Sequence, residues 1–290
     1  TTMLQRPTRL ADQEFTLRLR RRSISAVKTI KNLIVDKADK KSVCFFMVYY
    51  RRPELTRMSM WHMAKVIKKF TEAGHECCGI VIGNEPEQAE YCESLGLEHL
   101  EHGNADLSKK FEFAWKEAMK KETSYICWLG SNNVNSDDFW DKALEKVNGQ
   151  AVVSFGSKNF TIVDLNKENQ KTMAWTRRSF HLCSCGQFFY RYTLAKTVNF
   201  STVFQKTKNK EGRNDFDGSM NHTIVSRWGK ESFEPLESDP LDCIDVKSDI
   251  DIHPFKRYET GTYPQHYSRD EIFEKFEELK MLEDGYFNRL

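Results

Sequence analysis

The stretch Val43-Cys44-Phe45-Phe46-Met47-Val48-Tyr49-Tyr50-Arg51-Arg52-Pro53 sets the pattern for the rest of the chain. Its first eight residues are apolar or aromatic without polar alternation, and the run is of strand length. A strand of that kind is buried on both faces, as parallel strands covered by helices are. Arg51-Arg52-Pro53 ends it. Glu54 then opens a helix to about Thr71, with Leu55, Met58, Trp61, Val66, Ile67 and Phe70 along one side.

The alternation continues outward from there. Cys77–Ile82 reads as a second strand, ended by Gly83-Asn84-Glu85-Pro86, and a helix over Glu87–Ser94 is closed by Gly96. Leu97–Leu100 is a short third strand, Leu107–Lys120 a helix, and Tyr125–Leu129 a fourth strand ending at Gly130-Ser131-Asn132-Asn133. Strands joined by helices imply an α/β fold with a mostly parallel sheet and right-handed crossovers. Such sheets bind ligands beyond the carboxyl ends of their strands. Those ends are Tyr50-Arg51-Arg52, Gly83-Asn84-Glu85 and Gly130-Ser131-Asn132, all polar. The second half is less regular. Strands are expected at Ala151–Phe155, Phe160–Val163 and Asp249–Ile252, a strand-to-helix stretch at Gln187–Lys196, and a helix at Met220–Trp228. One amphipathic acidic helix is expected over Arg269–Leu282.

The chain has 290 residues, 39% hydrophobic and 30% charged, which is enough to bury a large core and is not the composition of a disordered protein. No apolar run is long enough to cross a bilayer, and no apolar block follows the basic start as in a signal peptide, so a cytoplasmic location is expected (the host cytoplasm for a viral chain). The eight cysteines sit where buried thiols sit, Cys44 and Cys127 within strands and Cys77-Cys78 at the start of another, and are expected to be reduced. His181, Cys183 and Cys185 lack a second pair at zinc-finger spacing. Residues 1–41 hold eleven Lys/Arg against four Asp/Glu, a charge of +7, so the remainder of a chain of net +2 carries −5. A helix is expected there over Ser23–Val35. Its basic residues fit either a solvated face or an arm for a polyanion.

The order of these features resembles the GT-A glycosyltransferases, particularly the inverting group called family 2, over about residues 43–255. The resemblance implies a Rossmann-like nucleotide-sugar half over 42–140 and an acceptor half over 141–260. A basic extension (1–41) would precede them and an amphipathic helix (261–290) would follow. It places the donor at Tyr50 and Arg52, at Asn84 and Glu85 where such enzymes hold the base, and at Lys109 or Lys110 approaching the diphosphate. The family's metal-binding DxD motif falls on Gly130-Ser131-Asn132, followed by Asn133, Asn135, Asp137 and Asp138. An amide offers a hard cation a neutral oxygen where a carboxylate offers a charged one. Ser131 and Asn132 would then face the donor, and the implied Mn²⁺ or Mg²⁺ would be held weakly, through Asn132 and the late His253, or be replaced by Lys and Arg. The general base falls on Asp217 of Asn214-Asp215-Phe216-Asp217-Gly218, with Asp215 the fallback, and would take the proton of an acceptor hydroxyl as it attacks the anomeric carbon. The segment His181–Arg191 resembles the stretch that lines the acceptor side.

The donor implied is a nucleotide-sugar, a UDP-sugar foremost. Enzymes of this look include ones from large DNA bacteriophages that decorate hydroxymethylated bases. The basic arm suits such an acceptor, whose base must leave the stack to react. Phe188, Phe189, Tyr190, Tyr192 and Trp175 are aromatic residues that could stack on it or pack the core. Two other readings stay open. One is a binding protein that kept the fold and lost the chemistry, favoured by the missing carboxylates. The other is a sugar nucleotidyltransferase, disfavoured by the absence of a glycine-rich loop after the first strand.

Overall fold

The computed structural model describes residues 41–149, 153–164, 172–176, 185–205, 216–247 and 267–288. The basic segment 1–40, Asp215, the strand expected at Asp249–Ile252 and His253 lie outside the described residues, as do His181 and Cys183.

The opening run forms β1 (Ser42–Val48), and its side chains divide by parity. Val43, Phe45, Met47 and Tyr49 enter one buried cluster; Cys44, Phe46 and Val48 enter another. Each face needs cover, and the following segments supply it alternately. Helix α1 (Pro53–Glu72) buries Met60, Met63, Val66 and Phe70 in the first cluster. β2 (Glu76–Gly83), α2 (Pro86–Ser94) and β3 (Glu98–Glu101) follow. Helix α3 (Leu107–Lys120) buries Ala114, Trp115 and Ala118 in the second cluster. After β4 (Tyr125–Gly130) and β5 (Asn133–Asn135), α4 (Asp137–Asn148) returns Phe139, Trp140, Ala143 and Val147 to the first. Proline in the first turn of α1 and α2 costs no hydrogen bond there. Asp106 caps α3 by accepting from Ser108 N and Lys109 N, and Ser136 caps α4 through Phe139 N.

The second half completes the same sheet. β6 (Ser154–Gly156), β9 (Gln187–Tyr190) and β10 (Phe233–Pro235) extend it to seven strands in the order β10-β6-β9-β4-β1-β2-β3. β1 pairs in parallel with β2 and β4, β2 with β3, and β6 with β10, whereas β9 runs antiparallel to both its neighbours. The architecture is thus mixed α/β, a mostly parallel sheet with helices on both faces, as the alternation predicts. Helices α5 (Arg191–Thr197), α6 (Phe200–Gln205) and α7 (Phe216–Trp228) cover the α3 side.

A second sheet was not foreseen. Its order is β5-β11-β7-β8, built from β7 (Asn159–Asp164), β8 (Thr172–Thr176) and β11 (Cys243–Lys247) with β5. Its residues Val134, Val163, Ile244 and Val246 pack with Leu55 and Met58 of α1 and with the C-terminal segment. That segment corrects the expectation of one tail helix over Arg269–Leu282. It forms α8 (Arg269–Lys275) and α9 (Glu277–Glu283), because Phe276 takes an extended conformation (φ −128°, ψ 92°) and buries its ring between them.

The tail is latched by a buried polar contact. His62 on α1 accepts from Asn135 N (3.1 Å) and Trp140 Nε1 (3.2 Å) at Nε2, so its proton lies on Nδ1 and is donated to Glu278 Oε1 at 2.9 Å. Burial would raise the Glu278 carboxyl, but the His62 hydrogen bond and Lys65 at 3.6 Å outweigh it and hold the group at about 2. A carboxylate depressed on folding stabilises above its unfolded value near 4.5 and loses that contribution as pH falls toward 2. Glu278→Gln should flatten this acid slope in chemical denaturation, and Glu278→Ala should cost about 3 kcal/mol by leaving His62 Nδ1–H unmet in the core.

Candidate functional site

The order β3-β2-β1-β4 is that of a Rossmann-type half: the chain runs from β1 to β2 and β3 on one side and then crosses back to β4 on the other side of β1. The crevice beyond the carboxyl ends of these strands gathers the residues singled out from sequence. Arg51 and Arg52 both hold left-handed backbone (φ 53° and 59°), which turns the chain sharply from β1 into α1. Tyr50 is exposed, with the Arg51 guanidinium 4.9 Å from its ring centre. Arg52 Nη2 reaches across to Ser131 Oγ at 2.8 Å, joining the turn after β1 to that after β4.

After β2, Gly83 lies against Tyr49: a Cβ there would meet the ring at 1.8 Å. The Tyr49 hydroxyl bonds His99 Nε2 at 3.0 Å. Burial, with the Glu85 carboxylate nearby, pushes the Tyr49 phenol above its usual range, and burial lowers His99. Asn104 ties the corner together, donating to Asn84 Oδ1 (2.5 Å) and to Glu85 Oε1 (3.4 Å) while accepting from Lys110 Nζ (2.5 Å). Glu85 Oε1 also receives Arg51 N at 3.4 Å, whereas its Oε2 is buried with no hydrogen-bond partner.

Lys110 is fully buried, and its ammonium donates to Tyr49 O at 2.6 Å as well as to Asn104. One N–H thus holds the turn after β1 and a second holds Asn104 beyond β3. Burial lowers it to about 8, the Glu85 charge opposing. Phe111, next along α3, stacks on Phe216 at 4.4 Å, which brings the first turn of α7, and with it the backbone of Asp217, to the same end of the sheet. Gln187 at the start of β9 donates to Asn221 Oδ1 on α7 at 2.8 Å.

Asn132 is not placed as a metal ligand would be. Its Nδ2 donates to Asp245 Oδ1 (2.8 Å) and Val246 O (2.7 Å) on β11, while Asp245 Oδ2 holds Lys247 Nζ at 2.7 Å. A hard divalent cation needs several oxygen ligands, charged ones above all. Here the position offers one hydroxyl that already receives Arg52, one amide whose two N–H groups are spent on β11, and a carboxylate already paired with an ammonium. Among the described residues no cluster of three or more His, Cys, Asp or Glu could hold a metal. The described residues of this turn thus do not gather the charged oxygens that the implied cation needs, and His253 lies outside the described residues. Asp245 and Lys247 escaped the sequence reading because β11 did. Its alternation (Ile244 and Val246 against Asp245 and Lys247) is a signal that could have found it.

A cleft of about 650 Å³ opens at the opposite, amino-terminal edge, lined by Ser42, Cys77, Cys78, Lys121, Arg191 and Tyr192 among others. Lys121 is paired there with Glu98, Arg191 with Thr123 O at 2.8 Å, and no buried acceptor without a partner lines it. The carboxyl edge, with its unmet carboxylate oxygen, is the better candidate.

No protein-family model and no curated protein matches the chain. Solved structures resemble it at low identity. One described as a mycobacterial protein is 9% identical, over 75% of this chain and 68% of that one, with a TM-score of 0.43. Glucosyl-3-phosphoglycerate synthase of Mycobacterium tuberculosis is 9% identical, over 78% of each chain, at 0.42. The same synthase in complex with Mg²⁺ and UDP is 10% identical, over 73% and 77%, at 0.43. The fold assignment rests on the strand order given above and not on these likenesses.

Gly83→Ala should cost about 1–3 kcal/mol by driving the Tyr49 ring from its seat, read as a lowered denaturation midpoint. The lowered Lys110 gives a second expectation. The unfolded chain binds this proton more tightly, so stability should rise with pH between about 8 and 10.5. That rise should be missing in Lys110→Met.

Proposed function

We propose that the carboxyl edge is the donor site of a nucleotide-sugar glycosyltransferase. The observation that carries this reading is Glu85 Oε2, a buried carboxylate oxygen with no donor, in the crevice beside exposed Tyr50. An unmet buried acceptor costs about 1–3 kcal/mol until a ligand supplies the donor. A nucleoside supplies it as a base N–H or a ribose hydroxyl, and offers an aromatic face to Tyr50. Asn84 sits on the same turn, and Arg52 at the mouth of the turn after β4 suits the diphosphate that follows a nucleoside.

In the reaction the acceptor oxygen bonds the anomeric carbon as the bond from that carbon to the diphosphate oxygen breaks, inverting the centre. The electron pair leaves with the nucleoside diphosphate, and the acceptor proton passes to the carboxylate of Asp217, or of Asp215 in its place. Residues 42–140 hold the donor and 141–260 the acceptor in this scheme. The acceptor we favour is a hydroxymethylated base in DNA, because the +7 segment at 1–41 suits phosphate and the rest of the chain is acidic. Among the described residues no helix is long and apolar enough to cross a membrane. A second reading, a donor-binding protein without turnover, is favoured by Asn132, a neutral amide held to β11 through its N–H groups, where the family carries a carboxylate.

Thermal shift with UDP-, GDP-, ADP- and CMP-sugars separates these readings from none at all: one donor should raise the melting temperature. Glu85→Gln should weaken that donor about tenfold or more. Asp217→Asn should keep donor binding while lowering transfer to hydroxymethylated DNA about 10²–10⁴-fold. Donor binding without any transfer by the wild type would favour the second reading. DNA affinity that is weak and indifferent to salt would remove DNA as the acceptor.

A further inference from the structure

Cys44 of β1 and Cys78 of β2 stand directly opposite each other in the parallel pairing of the two strands, and both are free thiols. Their side chains lie on the same face of the sheet, in the cluster that α3 covers. Neighbouring strands run about 4.8 Å apart, inside the window of about 4.4–6.8 Å between the Cα atoms of a disulfide. The two thiols differ in access. Cys44 is fully buried, whereas Cys78 is half-buried and lines the cleft of about 650 Å³ at the amino-terminal edge. Cys77, Lys121 and Arg191 line it too, with Glu76 and Glu122.

The pair is unequal in chemistry as well. The single hydrogen of the Cys44 thiol has two acceptors, Phe45 O at 3.9 Å and the Cys78 sulfur. Donation to a thiolate is charge-assisted and therefore the stronger. That hydrogen bond holds Cys78 below the usual thiol range. The Lys121 ammonium at the end of α3 adds to it, while burial and the Glu98 carboxylate, which also pairs with Lys121, oppose it. The same bond and burial raise Cys44. Cys77 packs on the opposite face of the sheet, and burial pushes it up to about 11. Of these three thiols Cys78 alone joins access to thiolate character, the combination that makes a cysteine reactive.

We propose that Cys78 and Cys44 form a peroxide-reactive dithiol, Cys78 the attacking sulfur and Cys44 the resolving one, which closes to a disulfide between β1 and β2. The Cys78 thiolate attacks one peroxide oxygen. An S–O bond forms as the O–O bond breaks, and the departing oxygen takes a proton and leaves as water, or as an alcohol from an alkyl peroxide. The Cys44 sulfur then attacks the Cys78 sulfenic acid. The S–S bond forms as the S–O bond breaks, and the hydroxide leaves as water with the Cys44 proton. The two sulfurs lose two electrons and the peroxide gains them. A half-exposed thiolate beside a resolving thiol is the arrangement that oxidises reversibly, because the disulfide forms before further oxygen adds. The donor-site reading is not needed for this chemistry, which lies at the other edge of the sheet.

The test is peptide mass spectrometry of the full chain at neutral pH. Sub-stoichiometric iodoacetamide should label Cys78 about tenfold or more ahead of Cys77, the thiolate fraction outweighing the lower nucleophilicity of the more acidic thiol. One equivalent of hydrogen peroxide should remove the mass of two hydrogens and link the Cys44 and Cys78 peptides, and dithiothreitol should restore both thiols. Cys44→Ser keeps a donor beside Cys78 but cannot resolve, so peroxide should leave a sulfenic acid at Cys78 that dimedone captures. Cys78→Ser should leave Cys44 untouched by peroxide. Labelling of Cys77 as fast as Cys78 overturns the proposal. So does peroxide treatment of the wild type that carries Cys78 to the sulfinic acid, or joins it to another chain, without linking it to Cys44. Both of these readings come from the unaltered protein and stand even if the Cys44 variant fails to fold.

Discussion

The structure depends on the double burial of β1. A strand whose odd and even residues are both apolar cannot lie at a surface, so helices must cover both faces and the sheet must grow on both sides. Because β1, β2 and β4 run parallel, every turn that follows them falls at one edge. The polar residues that follow each strand are brought together by that constraint, although they are 30 to 80 positions apart in sequence. Tyr49 shows how tight the edge is, since its ring occupies the space that any side chain at position 83 would need.

Charge at this edge is handled by pairing across turns. Arg52 spans from the first turn to the fourth, Asn104 bridges Glu85 and Lys110, and Asn132 links the fourth turn to Asp245 and Lys247 on the second sheet. Buried cations and carboxylates are costly unless hydrogen-bonded, so these contacts serve the structure itself. Lys110 makes the point most clearly. A residue singled out from the sequence as a phosphate contact is found as the clamp on the turn after β1.

The second sheet gives the edge its other wall. β5 and β11 carry Asn135, Asn133 and Asp245 beside the turn after β4, and the face beneath them is closed by α8 and α9 through an apolar cluster and the His62–Glu278 contact. The C-terminal segment therefore supports the site from behind without entering it. Its break at Phe276 lets two short helices follow a surface that one straight helix over the same residues would leave.

The amino-acid sequence by itself determined the layered α/β architecture, the elements from β1 to β4 to within a residue or two, and the clustering of polar residues at strand ends. The reason is that hydrophobic periodicity and helix stop signals are local, and the first half is built of local units. What only the tertiary structure decided was the second sheet, whose strands β5 and β8 are three and five residues long and too short to show a period, while β11 carries only a brief alternation, and the division of the tail. It also decided what the polar residues do. Whether Asn132 offers oxygen or N–H, whether Lys110 is spent on the backbone, and whether Glu85 keeps an unmet oxygen depend on neighbours brought from far along the chain. A side chain's type is written in the sequence, but its partners are set by packing.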